Sequence, residues 1–350
     1  MRTDTLIVGG GLCGLALADA LEAKGQDYLL VEARSRFGGR ILSEYHKGAG
    51  FDLGPAWFWP GQPLMANLVQ RLGLKQFDQY ADGILSFEDE RGQVQRGRGF
   101  SSMQGSWRVQ GGLGTLSDGL ARHLPSGRTR LNTAVEGLRQ IPHGVSVRLS
   151  SGDTVQANQV VLALPPRISA GIEFDPPLPP GALAALHAVP TWMAGQAKAV
   201  AVYSTAFWRE EGLSGDAMSR FGPMVEIHDA SPSTDGLFAL FGFIGVLPQA
   251  RRDEQVLRQQ VLAQLVRLFG AQAAEPEALF IKDWACDPFT AVMADQAPVM
   301  AHPQYGMPRG LENLWDGRVI LAGTEVATEF GGYLEGALEA AELALGKLSE

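Results

Sequence analysis

Residues 5–14 read TLIVGGGLCG, and residues 15–40 continue as LALADALEAKGQDYLLVEARSRFGGR. The apolar run 5–8 predicts a short strand, and Gly9-x-Gly11-x-x-Gly14 follows it directly. A helix is expected over 12–24, stopped by Gly25, with a second apolar strand over 28–31 ending at Glu32. Each glycine has a task in a βαβ dinucleotide fold. Gly9 permits the tight turn, Gly11 lets the backbone approach a pyrophosphate, and Gly14 lets the helix lie close to the sheet. The helix N-terminus presents unpaired N–H groups to phosphate. Glu32 is placed for a ribose diol, which favours FAD or NAD over a 2′-phosphorylated dinucleotide.

The 350 residues exceed the usual size of one core, so two domains are expected. A hydrophobic fraction of 45%, a charged fraction of 19% and the absence of low-complexity tracts describe a folded chain. The formal charge of −9, with no block of Lys and Arg, argues against nucleic acid or an anionic membrane as partner. Cys13 and Cys286 lack the spacing of a metal site or a disulfide framework, so no metal is expected. The apolar stretch at residue 6 runs into glycines without a cleavage site, and nothing approaches the ~20 apolar residues of a membrane span. A cytoplasmic protein with reduced thiols is the expectation.

Two further stretches favour FAD. ARSRFGGR (33–40) adds a glycine pair and arginines for a second approach to the pyrophosphate, and GFDLGPAWFW (50–59) adds a glycine turn with aromatics. Here the sequence resembles the flavin monoamine oxidase family, which contains monoamine, polyamine and L-amino-acid oxidases and the flavin-dependent histone demethylases. The resemblance extends along nearly the whole chain. VQGGLGTLSDGLARHL (109–124) is similar to the opening of the family's second FAD block. RTRLNTAVEGLRQ (128–140) is similar to the strand whose backbone, here Val135, holds the adenine end. Residues 145–166 read as a hairpin followed by a buried strand, and the proline-rich EFDPPLPPG (173–181) as a stiff connector.

QAKAVAVYSTAFWRE (196–210) puts Lys198 on one face of an apolar strand with Val200 and Val202. By itself this reads as an edge-strand charge or a structural ion pair. The resemblance implies instead the family lysine that reaches flavin N5 through a water, held in a dry pocket that favours the neutral amine. KDWACDPFT (282–290) resembles the strand whose tryptophan, Trp284, packs near the flavin, although an ordinary core aromatic fits as well. A helix is expected over 254–269.

RVILAGTEVATEFGGYLEGALEAAELAL (318–345) implies a strand over 319–322, Glu325 on the ribityl hydroxyls, and Tyr333 before the flavin face. A long helix follows, with its N-terminal dipole toward the N1/C2 region of the ring. The implied catalytic set is Lys198, Trp284 and Tyr333. The implied FAD set is Gly9, Gly11, Gly14, Glu32, Ala33, Arg34, Gly39, Arg40, Ala56, Trp57, Val135, Gly323, Glu325 and Leu334.

Three departures matter. Counting along the family pattern places Met293 where some members carry the flavin-linked cysteine, so the FAD is expected to be noncovalent, and Ala294 where a second cage aromatic would stand. Gly54-Pro55-Ala56-Trp57 replaces a G-P-x-R turn, which disfavours a substrate α-carboxylate. The segment 61–105 is short for a lid.

The expected fold is α/β, with a Rossmann-like dinucleotide-binding FAD domain (1–61, 106–187, 287–350) and a mixed-sheet α+β substrate domain (62–105, 188–286). The expected reaction is oxidation of a small-molecule amine to an imine by hydride transfer to flavin N5, with O2 reoxidising the flavin to give H2O2. A flavin-dependent desaturase or porphyrinogen-type oxidase, or a flavin-binding protein without turnover, remain as alternatives.

Overall fold

The structure is a computed structural model describing residues 1–233, 236–297, 299 and 301–348. Its first sheet begins with the predicted unit. Strand Arg2–Val8 and strand Tyr28–Val31 lie parallel, joined by helix Leu12–Ala23. That helix buries Leu12, Leu15, Leu17, Ala18 and Leu21. It is apolar over most of its circumference because helices Gly114–His123 and Leu334–Leu348 both pack against it.

Eight strands make up this sheet. Thr154–Leu162 is its longest member and changes partners along its length. Its first half pairs antiparallel with Gly144–Leu149, and its second half runs parallel to Val319–Leu321, while Arg2–Val8 lines the other side throughout. The expected hairpin arm and buried strand are therefore one strand. The expected connector at 173–181 is also partly regular. Glu173–Asp175 pairs parallel with Val135–Ile141, and Pro180 opens helix Pro180–Ala188, where a missing N–H costs nothing.

The second sheet has seven strands, in the order Ala278–Asp283, Ala197–Tyr203, Phe238–Ile244, Met224–Asp229, Leu213–Ser219, Ile84–Glu88 and Val94–Arg96. The pair Leu213–Ser219 with Ile84–Glu88 is parallel and its other pairs are antiparallel. Ala197–Tyr203 is an interior strand, which removes the edge-charge explanation of Lys198. Every residue of it is buried. Ala197, Ala199 and Ala201 are small because helix Glu254–Phe269 packs over their face through Leu257, Val261 and Leu265. That helix has the predicted limits, with Asp253 accepting from the Val256 N–H as N-cap and Gly270 at its end. On the opposite face Val200, Val202 and Phe241 meet Phe51, Leu53 and Trp57 of the first unit.

Residues 62–105 do not all join the second sheet: only Ile84–Glu88 and Val94–Arg96 do. Helix Pro63–Arg71 buries Met65, Leu68 and Val69 in the first core, and Gln76–Asp78 pairs with Trp107–Val109. The cause lies far along the chain, where both carboxylate oxygens of Glu335 accept from the N–H groups of Leu64 and Met65 at 2.8 Å. The negative charge caps the positive end of this helix and ties it to the last one.

Candidate active site

A crevice with an empty volume of about 1420 Å³, open at its mouth, runs between the sheets.

At one end Gly9 takes φ +106°, a conformation side chains avoid. A Cβ on Gly14 would lie 1.9 Å from the Gly9 carbonyl oxygen, which is why helix and strand can sit this close. A Cβ on Gly11 would meet nothing nearer than Gly39 Cα at 4.0 Å, and both residues line the crevice. The first helix has no side-chain cap at Gly11 and no acid in its first turn, so its N-terminal N–H groups are left for a ligand. This cradle fits a pyrophosphate. Glu32 is buried, accepts from Gly10 N–H at 2.7 Å and Arg34 N–H at 2.8 Å, and keeps further lone pairs for a diol.

Both crevice arginines are paired. Arg34 bonds Asp287 at 2.5 Å and Thr290 at 3.0 Å. Arg40 bonds Glu325 through two contacts, at 2.6 and 3.2 Å, and Glu325 is wholly enclosed. The carboxylate assigned to ribityl hydroxyls is thus held by Arg40. Arg40→Met strands that carboxylate and is expected to cost about 3–5 kcal/mol in urea unfolding.

Lys198 stands at the other end, 5% exposed. Its Nζ donates to the Gly54 carbonyl and lies 4.7, 4.8 and 5.7 Å from the ring centres of Phe241, Phe243 and Trp57. Burial pushes its pKa down to about 7; Asp52 opposes the shift and Arg108 adds to it. Trp57 is fixed by Nε1 donating to Gln79 Oε1 at 2.7 Å, while Gln79 Nε2 donates to the Asp229 carbonyl at 2.7 Å. Trp284 directly follows strand Ala278–Asp283 and donates to the Leu53 carbonyl at 2.9 Å. The turn 53–54 therefore receives both Lys198 and Trp284, one on each successive carbonyl.

Of the sequence-derived residues, Gly9, Gly11, Glu32, Arg34, Gly39 and Arg40 line the crevice, as do Ala56, Trp57, Lys198, Trp284, Gly323, Tyr333 and Leu334. Gly14, Ala33, Val135 and Glu325 do not. Gly14 packs beneath Gly9. Val135 opens its strand two residues after Thr133, whose N–H donates to the Glu32 carbonyl.

The count that placed Met293 and Ala294 at the flavin fails. They lie in the one-turn helix Met293–Asp295, with Met293 78% exposed, and neither lines the crevice. The ring facing Tyr333 is His302, stacked at 4.9 Å and 13°, with Trp59 edge-on at 6.1 Å. Trp59, Trp192, Met193 and Phe243 also line the crevice without having been singled out. Phe243 had a signal in the alternation of FALFGFI (238–244); Met193, at φ +63°, had none. Among the described residues no group of three His, Cys, Asp or Glu is arranged for a metal, and no helix is long and apolar enough to cross a membrane.

Residues 12–100 and 80–344 match the family model described as flavin containing amine oxidoreductase. A Mycobacterium tuberculosis protein that carries the name flavin-containing monoamine oxidase AofH is 26% identical, over 99% of this chain and 96% of its own length. The putrescine oxidase of Kocuria rosea is 24% identical over 83% of this chain and 84% of its own. Among solved structures, a double mutant of putrescine oxidase superposes with a TM-score of 0.84 at 22% identity, covering all of both chains. Cyclohexylamine oxidase from Brevibacterium oxydans gives 0.80 at 21%, covering 99% of this chain and 98% of that one.

Proposed function

The chain belongs to the family of flavin containing amine oxidoreductases, and on that premise we propose that it oxidises an amine to an imine at Lys198, with O2 as final acceptor. It is an FAD-dependent amine oxidoreductase. When bound, FAD would supply a two-electron acceptor for the hydride on the carbon beside nitrogen, with O2 as the oxidant that would restore it. Water then hydrolyses the imine to a carbonyl compound and ammonia or a smaller amine.

The single observation that carries this reading is a buried lysine on an interior strand, held at the crevice wall with a pKa near neutrality. Burial favours its neutral amine, so this atom can take up or hold a proton without leaving a fixed cation beside the substrate. The three rings around it exclude water. Gly11, Gly39 and the bare helix end would hold the pyrophosphate, and Glu32 the ribose. Trp57, Trp284 and Tyr333 would bound the ring and the amine, whose nitrogen the aromatic faces attract.

Noncovalent FAD is supported by both cysteines. Cys13 donates to the Ala322 carbonyl and burial pushes its thiol pKa up, while Cys286 is exposed beside Asp283. Sheet and core membership support an FAD unit and a substrate unit, with the first boundary near residue 80 instead of 61, since helix Pro63–Arg71 packs in the first core and Gln76–Asp78 pairs with Trp107–Val109. The test is anaerobic. Benzylamine should bleach the yellow protein, and readmitted air should yield peroxide. A flavoprotein that no amine bleaches contradicts the reading.

A further inference from the structure

We propose that His228 is a positioning residue for the crevice: a doubly protonated ring, clamped between Asp216 and Glu226, that holds the Trp57 wall beside Lys198 and lets it shift when the proton leaves. The effect on turnover rests on the amine-oxidising reading; the clamp itself does not.

His228 lies on strand Met224–Asp229 and is 1% exposed. Its Nδ1 meets Asp216 Oδ1 at 2.8 Å, and its Nε2 meets Glu226 Oε1 at 3.0 Å. An ionised carboxylate only accepts and a neutral imidazole has one N–H, so between two ionised acids the imidazolium alone satisfies both bonds. Burial opposes that charge, but the two carboxylates outweigh it and raise the ring's pKa above its ordinary value. The ring also packs edge-on against Trp57 at 5.3 Å and parallel to Phe241 at 6.0 Å. Neither carries charge. Lys198 Nζ lies 4.7 Å from the centre of that same Phe241 ring.

The same acids grip the segment that leads into strand Trp107–Val109. Ser101 Oγ donates to Asp216 Oδ2 at 2.6 Å, and Ser102 Oγ donates to Glu226 Oε1, the oxygen that His228 uses. Next in the chain, the Met103 carbonyl accepts from the Ser106 N–H at 3.1 Å and from its hydroxyl at 2.7 Å. The Ser106 carbonyl accepts from the Gln79 N–H at 3.0 Å, and Gln79 Oε1 accepts from Trp57 Nε1 at 2.7 Å. His228 thus reaches Trp57 twice, by ring contact and through this chain of bonds. Once the ring is neutral, one carboxylate faces a lone pair. Asp216 is 3% exposed and cannot turn to water. Glu226 keeps 26% of its side chain exposed, so it is the acid released, and Ser102 goes with it.

The test is NMR on the FAD-loaded chain labelled with 15N at histidine and tryptophan. The His228 ring is assigned by its loss in His228→Gln or, should that variant not fold, by its displacement in Glu226→Gln. At pH 7.5 a free imidazole is about nine-tenths neutral, whereas both nitrogens of His228 should carry protons. Glu226→Gln removes one of the two charges and should lower the midpoint of the His228 titration by at least ~1 pH unit. In that variant the Trp57 indole N–H, assigned by its loss in Trp57→Phe, should shift over the same pH range. The ratio of variant to parental kcat/KM for benzylamine, in which the titration of the amine cancels, should fall ~10-fold across that range. A singly protonated His228 at pH 7.5, or a Trp57 signal indifferent to its titration, overturns the clamp. A constant kinetic ratio overturns the positioning role. If benzylamine fails to reduce even the parental flavin, the amine-oxidising reading falls, and the NMR signals still decide the clamp.

Discussion

At pH 6 the Lys198→Met variant is expected to resist urea better than the parent chain, by about 2 kcal/mol, while its kcat/KM for benzylamine drops at least ~100-fold. An unfolded lysine keeps its proton to about pH 10.4, whereas in the fold burial lowers that value to about 7. Between those limits the unfolded chain binds the extra proton, so parental stability rises with pH across the window and is lowest below pH 7. The full shift is worth on the order of 4 kcal/mol. Methionine carries no proton and shows no such slope. It does leave the Gly54 carbonyl without its donor, a loss of about 1–2 kcal/mol that is present at every pH. The two stability curves should therefore cross, with the variant ahead at pH 6 and behind above pH 10. Parallel curves would mean that Lys198 is not buried as a base, and unchanged kinetics would remove it from the reaction.

Gly14→Ala is the second large effect. The added Cβ would stand 1.9 Å from a backbone oxygen, and neither strand nor helix can yield without opening the turn that forms the phosphate cradle. Overpacking against backbone costs about 3 kcal/mol or more. Flavin occupancy should fall at least ~10-fold, read as the ratio of visible to protein absorbance after purification. Gly25→Ala is the control. Gly25 also has positive φ, at +66°, but nothing lies within 4 Å of its Cβ position, so about 1–2 kcal/mol is lost with flavin content unchanged. Equal flavin content in both variants would detach Gly14 from the cofactor site.

What the sequence made legible was local. The strand–turn–helix–strand of residues 5–32 is written in neighbouring residues, as is helix Glu254–Phe269 with Asp253 and Gly270 at its ends. The parity of Lys198 with Val200 and Val202 was legible too, but the reason for it was not. Alanines on one face and a lysine on the other make sense once a helix and the 51–57 segment are seen to pack on opposite sides. Contacts between distant residues were hidden. Arg40 meets Glu325 across 285 positions and Glu335 caps a helix 270 positions earlier. Counting from Trp284 could not show that Met293 would be exposed, nor that neither it nor Ala294 would line the crevice. His302 takes its place opposite Tyr333 through tertiary packing.

The most direct test of the central claim is an NMR titration of the protein with 13C at lysine Cε, recorded from pH 5 to 11 with and without FAD. One resonance, assigned by its loss in Lys198→Met, should titrate with a midpoint near 7 and shift when FAD binds. If every lysine titrates above pH 10, or if the Lys198 signal ignores FAD, then no buried base stands at the cofactor crevice and the account is contradicted.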